Sequence, residues 1–170
     1  MPTVYSPPVS TYVALATTTL PSATATVTFS SIPATYRDLV LVIDGQQSNS
    51  GGSEVVMQIN GDGSSSYTNV RMNGNGTNTS SASYTETFIT LAQATRGVRF
   101  TTVTSIMDYS ATDKHKTVLS RGNQGGGGDG VGAIAGRWPS TSAVTSIAAK
   151  NYFGENFDAG TTFSLYGIEA

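Results

Sequence analysis

A chain of 170 residues with nine basic and eleven acidic side chains, formal net charge -2, has one domain's length, and a single core of that size removes about 70% of the unfolded surface from water. The absence of cysteine excludes a disulfide framework, thiolate metal sites and cysteine redox chemistry, and fits assembly in a reducing cytoplasm. The scattered basic residues form no nucleic-acid footprint, and with only 12% charged residues the surface, rich in Ser, Thr, Asn and Gly, has few charges to desolvate when a partner packs against it.

The chain opens on Met1-Pro2-Thr3-Val4-Tyr5-Ser6-Pro7-Pro8, with neither a basic segment nor an apolar one of the kind an export signal needs, and no stretch approaches the ~20 apolar residues that span a bilayer. A soluble protein without an export signal or a membrane partner is therefore expected. Each proline removes a ladder donor, so residues 1–11 read as an extended arm that is either a frayed terminus or a segment laid on a neighbouring subunit, with Pro2, Val4, Tyr5, Pro7 and Pro8 as its candidate contacts.

From residue 12 to 170 the apolar residues run at period two, are mostly Val, Ile, Tyr, Phe and Thr, and are separated by clusters of Gly, Ser and Asn. This predicts a single all-β domain with strands at 12–19, 25–29, 38–45, 54–60, 68–72, 84–91, 98–109, 116–121, 131–138, 143–149 and 162–168, folded as an antiparallel β-sandwich of jelly-roll-like form. The unbroken run Leu39-Val40-Leu41-Val42-Ile43 predicts a central strand covered on both faces, and 32–38 is the one stretch suited to a helical turn. Residues 46–53 and 122–130 read as flexible connectors. In the last strand Phe163 and Leu165 fall on one face and Ser164 and Tyr166 on the other. Trp138, Phe163, Leu165 and Tyr166 are the candidate core or interface anchors.

Candidate chemistry is sparse. Gly125 to Gly130 contains a formal G-x-G-x-x-G, but a strand follows where a dinucleotide site needs a helix, so a loop is the better reading. Asn60-Gly61-Asp62-Gly63 resembles the start of a calcium loop, yet Arg71 stands where an EF-hand needs its bidentate glutamate, and Asn-Gly followed by Asp-Gly is a turn signal. Asn73-Gly74-Asn75-Gly76 likewise reads as a loop tip. His115 lies in a charged turn with no nucleophile signature beside it, and the acids stand singly, so neither hydrolase nor glycosidase chemistry is supported. No metal, cofactor or enzyme activity is expected. Carbohydrate binding is the stronger rival, with Tyr67, Tyr84, Trp138 and Tyr152 as its aromatic platforms.

Several short segments share a family pattern. Gly160-Thr161-Thr162-Phe163-Ser164-Leu165-Tyr166-Gly167-Ile168 resembles the closing strand of β-sandwich modules in tailed-phage virion proteins, both capsid decoration (cement) proteins and fibre or tail-associated domains. Thr28-Phe29-Ser30-Ser31-Ile32-Pro33, Tyr36-Arg37-Asp38-Leu39, Gln58-Ile59-Asn60-Gly61-Asp62, Asp108-Tyr109 and Trp138-Pro139-Ser140-Thr141 are similar to that module in the same order, with Pro139 where the pattern often has a hydrophobic residue. The resemblance implies a structural virion protein assembled in the host cytoplasm, with no catalytic residues. One module plus a short arm suits capsid decoration, which implies a homotrimer on the capsid exterior bridging subunits of the major capsid protein. The alternative is a tail or fibre module that binds a host glycan or receptor.

Overall fold

Alternating side chains become a sandwich when two sheets bury their apolar faces against each other, and that is the arrangement in the computed structural model, which describes residues 11–48, 52–95, 97–124 and 130–169. In chain order the strands are β1 (Tyr12–Thr19), β2 (Thr26–Phe29), β3 (Asp38–Gly45), β4 (Gly52–Ile59), β5 (Tyr67–Gly74), β6 (Thr79–Glu86), β7 (Ile89–Thr95), β8 (Phe100–Met107), β9 (Lys116–Gln124), β10 (Val131–Trp138), β11 (Ile147–Asn151) and β12 (Thr162–Ile168). An eight-stranded sheet has the order β1-β12-β3-β8-β9-β10-β5-β6, and a four-stranded sheet has the order β2-β11-β4-β7. All strand pairs are antiparallel, and no helix occurs among the described residues.

The core lies between the sheets. Leu39, Leu41 and Ile43 of β3, Phe163 and Leu165 of β12, and Phe100 and Ile106 of β8 meet Met57 and Ile59 of β4, Ile89 and Leu91 of β7, and Ile147 of β11. Burying each such side chain contributes about 1.5–3 kcal/mol. The layers approach closely at Gly136, where an added Cβ would stand 2.6 Å from Ile89 Cγ2. Buried hydroxyls are paired within and across the layers: Ser120 donates to the Leu91 carbonyl of the facing sheet at 2.7 Å, and Thr102 and Thr104 of the neighbouring strand lie 2.9 and 2.7 Å from the Ser120 hydroxyl. Each would otherwise cost the price of an unsatisfied polar group. Lys116 is buried too, its ammonium donating to the carbonyls of Ala111 at 2.6 Å and Lys114 at 2.9 Å. Burial pulls its pKa below the usual lysine value.

Several local expectations are corrected. The single strand at 84–91 is two, β6 and β7, because the chain passes from one sheet to the other at Thr87 and Phe88. The helical turn at 32–38 is irregular backbone, with Ser31 at φ 55° and Arg37 N–H donating to the Ile168 carbonyl at 2.8 Å. β11 begins only at Ile147, since the preceding backbone is held by side chains: Asn60 Oδ1 accepts from Thr145 N at 2.8 Å and Ser146 N at 3.0 Å. Gln47, read as part of a connector, is fully buried, donating to the Ala94 carbonyl and accepting from Asn151. Gly122 belongs to β9, where its lack of a side chain admits Ala92 of the facing sheet.

The central strand β3 is covered by a second layer on one face only. Its inner residues are fully buried; on the outer side, where no second layer lies among the described residues, Val40 is still buried by its neighbours, at 6% exposure, and Val42 is half-buried.

Candidate interaction surface

An antiparallel sheet with one free face normally alternates apolar inward and polar outward. The centre of the large sheet departs from that rule. The ladder registers align Val42, Val103, Arg121, Ala133 and Met72 in one row across β3, β8, β9, β10 and β5. The next row aligns Val40, Ser105, Leu119, Ala135 and Val70. Met72 is 62% exposed, Val70 51% and Leu119 43%, and Val131 beside them 64%. Single exposed apolar residues are ordinary, whereas a contiguous patch marks an interaction surface.

This patch is also concave. Val70, Met72, Val103 and Leu119 stand as walls over a floor of Ala133 and Ala135, leaving a groove of about 410 Å³. Among the described residues Arg121 is the only charged side chain that lines it, and neither a carboxylate nor a histidine does. The groove offers dispersion and one cation, and holds no acid–base pair with which to activate a nucleophile.

Trp138 is buried, stacked on Tyr67 at a centroid distance of 6.5 Å, with its indole N–H donating to Asp62 Oδ2 at 2.6 Å. Asp62 Oδ1 accepts from Ser64 N at 2.9 Å. The Trp138 bond first, and then those from Ser64, hold the Asp62 carboxyl below the usual aspartate value. Burial pushes the Tyr67 phenol up to about 12. Asn60 and Gly61, at φ 52° and 67°, form a tight turn closed by Asp62 N–H donating to the Ile59 carbonyl at 2.9 Å. The polar side chains of this segment thus serve a turn and a tryptophan.

Phe163 and Leu165 are in the core, Phe163 edge-on to Phe157 at 5.1 Å, while Tyr166 is half-buried on the outer face, edge-on to Tyr12 at 6.3 Å. Pro2, Val4, Tyr5, Pro7 and Pro8 lie outside the described residues. His115 is exposed in the turn between β8 and β9, and among the described residues no group of three or more His, Asp or Glu side chains could hold a metal.

Of the four aromatic platforms expected for a glycan, Tyr67 and Trp138 are corrected: both are buried and cannot present a ring face to a sugar. Tyr84 is half-buried in a network, its hydroxyl donating to Thr90 at 3.0 Å and its ring 5.8 Å from the Arg71 guanidinium, which is paired with Glu54. Tyr152 alone is exposed, at 44%, and beside it stands Phe153, which the alternation pattern did not flag, at 66%. An aromatic pair directly before Gly154 was the available signal, since a turn glycine places its neighbours on the surface.

No protein-family model matches this chain, and neither a curated protein nor a solved structure is significantly similar to it.

Proposed function

We propose that the chain is a structural component of a tailed-phage virion, a capsid decoration or cement protein that acts as a homotrimer on the capsid exterior and bridges major capsid subunits without catalysing a reaction. The observation that carries this reading is the largely apolar, concave outer face of the large sheet, with Arg121 on its wall, which needs a covering surface and contains no reactive constellation among the described residues. The motif order from Thr28 to Ile168 supports the virion assignment. The strand order supports the jelly-roll reading: without β1, β12 and the β8–β9 hairpin, two four-stranded sheets remain, β2-β11-β4-β7 and β3-β10-β5-β6, between which the chain crosses after every strand except β5. Many modest contacts repeated over a lattice add through avidity, which is how a low-charge module would hold a capsid against internal pressure.

The exposed pair Tyr152 and Phe153 favours a second reading, a tail or fibre module that meets a host glycan or receptor. A cryo-electron reconstruction of purified particles separates the two. Density for this sandwich on the capsid shell, with its eight-stranded sheet against another subunit, is the expected result. Density confined to the tail, or absence of the chain from the particles, contradicts the decoration reading.

A further inference from the structure

The groove on the large sheet and the aromatic pair after β11 are complementary in shape and charge. The groove, about 410 Å³, is larger than the ~150 Å³ cavity that takes up a benzene ring, so it has room for one phenyl ring and part of a second. The pair supplies both rings. Tyr152 and Phe153 are 4.7 Å apart by centroid, and Tyr152 is braced edge-on against buried Phe88 at 5.0 Å. The turn is fixed by hydrogen bonds: Tyr152 N–H donates to the Glu54 carbonyl at 2.9 Å, Phe153 N–H to Asn151 Oδ1 at 3.1 Å, and Gly154 N–H to the Asn151 carbonyl at 3.1 Å. A rigid aromatic knob loses little entropy on docking. Two residues beyond Phe153 is Glu155, a carboxylate with no ion pair among the described residues, and on the groove wall Arg121 is a guanidinium with none.

Knob and groove cannot meet within one chain. The groove lies on the outer side of the large sheet, and the knob follows β11 of the small sheet, which packs on the inner side. We propose that the two join different copies of this chain head to tail, with Phe153 of one copy in the groove between Leu119 and Met72 of the next and Glu155 of the first against Arg121 of the second. Such a heterologous contact uses different patches on each copy and closes into a ring when its rotation divides the circle. This inference rests on the self-association in the proposed function and not on a location in the virion.

Sedimentation of the full chain between micromolar and millimolar concentration tests it, with variants that disable one half each. Phe153→Ser removes the knob and Ala135→Arg fills the groove floor, and both side chains point away from the core, so melting curves matching the wild type confirm intact folding. The wild type is expected to exceed the 17.6 kDa of one chain, and each variant alone to stay at that mass. Mixing the two variants is expected to give a dimer and nothing larger, because only one intact knob and one intact groove remain. Arg121→Glu is expected to weaken association at least tenfold, and adding Glu155→Arg to the same chain to recover most of it. If Phe153→Ser assembles as the wild type does, or the mixture stays monomeric, the inference is wrong while self-association through another surface survives. A wild-type chain that remains single throughout the range overturns both.

Discussion

The two faces of the eight-stranded sheet are both apolar at their centre, but only one is covered. On the inner face Leu41, Ile43, Phe163 and Leu165 are sealed by the four-stranded sheet, and buried hydroxyls find partners across the layers. On the outer face Val70, Met72, Leu119 and Val131 have a similar chemical character and remain in water. The inner face is what folds the chain. The outer face contributes little to the folded state of a single copy, and under the proposed function its composition follows from what packs on it. The prediction is therefore a separation: inner-face substitutions act on stability, and outer-face ones on association.

The largest effect should come from the inner face. Phe163→Ala removes a fully buried ring and is expected to cost about 3–5 kcal/mol, read as a lower denaturation midpoint in urea. Gly136→Ala is next. The added methyl would press on Ile89 between the layers, and overpacking of this kind costs about 1–3 kcal/mol, seen in the same measurement.

At the rim between the faces, the Asp62 carboxylate accepting from Trp138 gives a pH signature. Its folded pKa lies below the usual aspartate value, so at acid pH the unfolded chain takes up this proton first. The stabilisation is complete above that value and lost as pH falls through the folded pKa. Asp62→Asn is expected to cost about 1 kcal/mol at neutral pH. The gap between variant and wild type should narrow as thermal melts are taken from pH 5 towards pH 2, and a gap constant over that range would show that the carboxylate charge is irrelevant.

The smallest effect on folding belongs to the outer face. Leu119→Ser should change the melting behaviour of the single chain by no more than about 0.5 kcal/mol, while abolishing association. A loss as large as that of Phe163→Ala would show that the outer face is part of the fold after all.

The inner face was legible in the sequence because its signal is local. The closing strand 162–168 could be read residue by residue from its alternation, and the run at Leu39 to Ile43 as a central strand from its β-branched content, though not which of its faces a second layer covers. β6 was not legible as a strand of its own. It is built mainly of Ser and Thr, and the crossing at Thr87 and Phe88 has no glycine or proline to mark it. The outer groove was hidden for a different reason. Val70, Met72, Val103, Leu119, Ala133 and Ala135 come from four strands, and only the register of β5, β10, β9 and β8 makes them neighbours. Register is a long-range property, set by which face each strand buries. Trp138 could be named as an anchor from its type and strand position, but its partner Asp62 stands 76 residues away and became visible only in the fold.

Two methionines give the most direct test of the central claim that the outer sheet face is the assembly surface. Met57 is fully buried in the core and Met72 is 62% exposed on the outer face, and peroxide converts accessible methionine to its sulfoxide. In dilute, dispersed chain Met72 should be oxidised rapidly and Met57 slowly. In the assembled form, the rate at Met72 is predicted to fall at least severalfold while Met57 is unchanged. Equal oxidation of Met72 in dispersed and assembled chain would place the contact elsewhere and contradict the account.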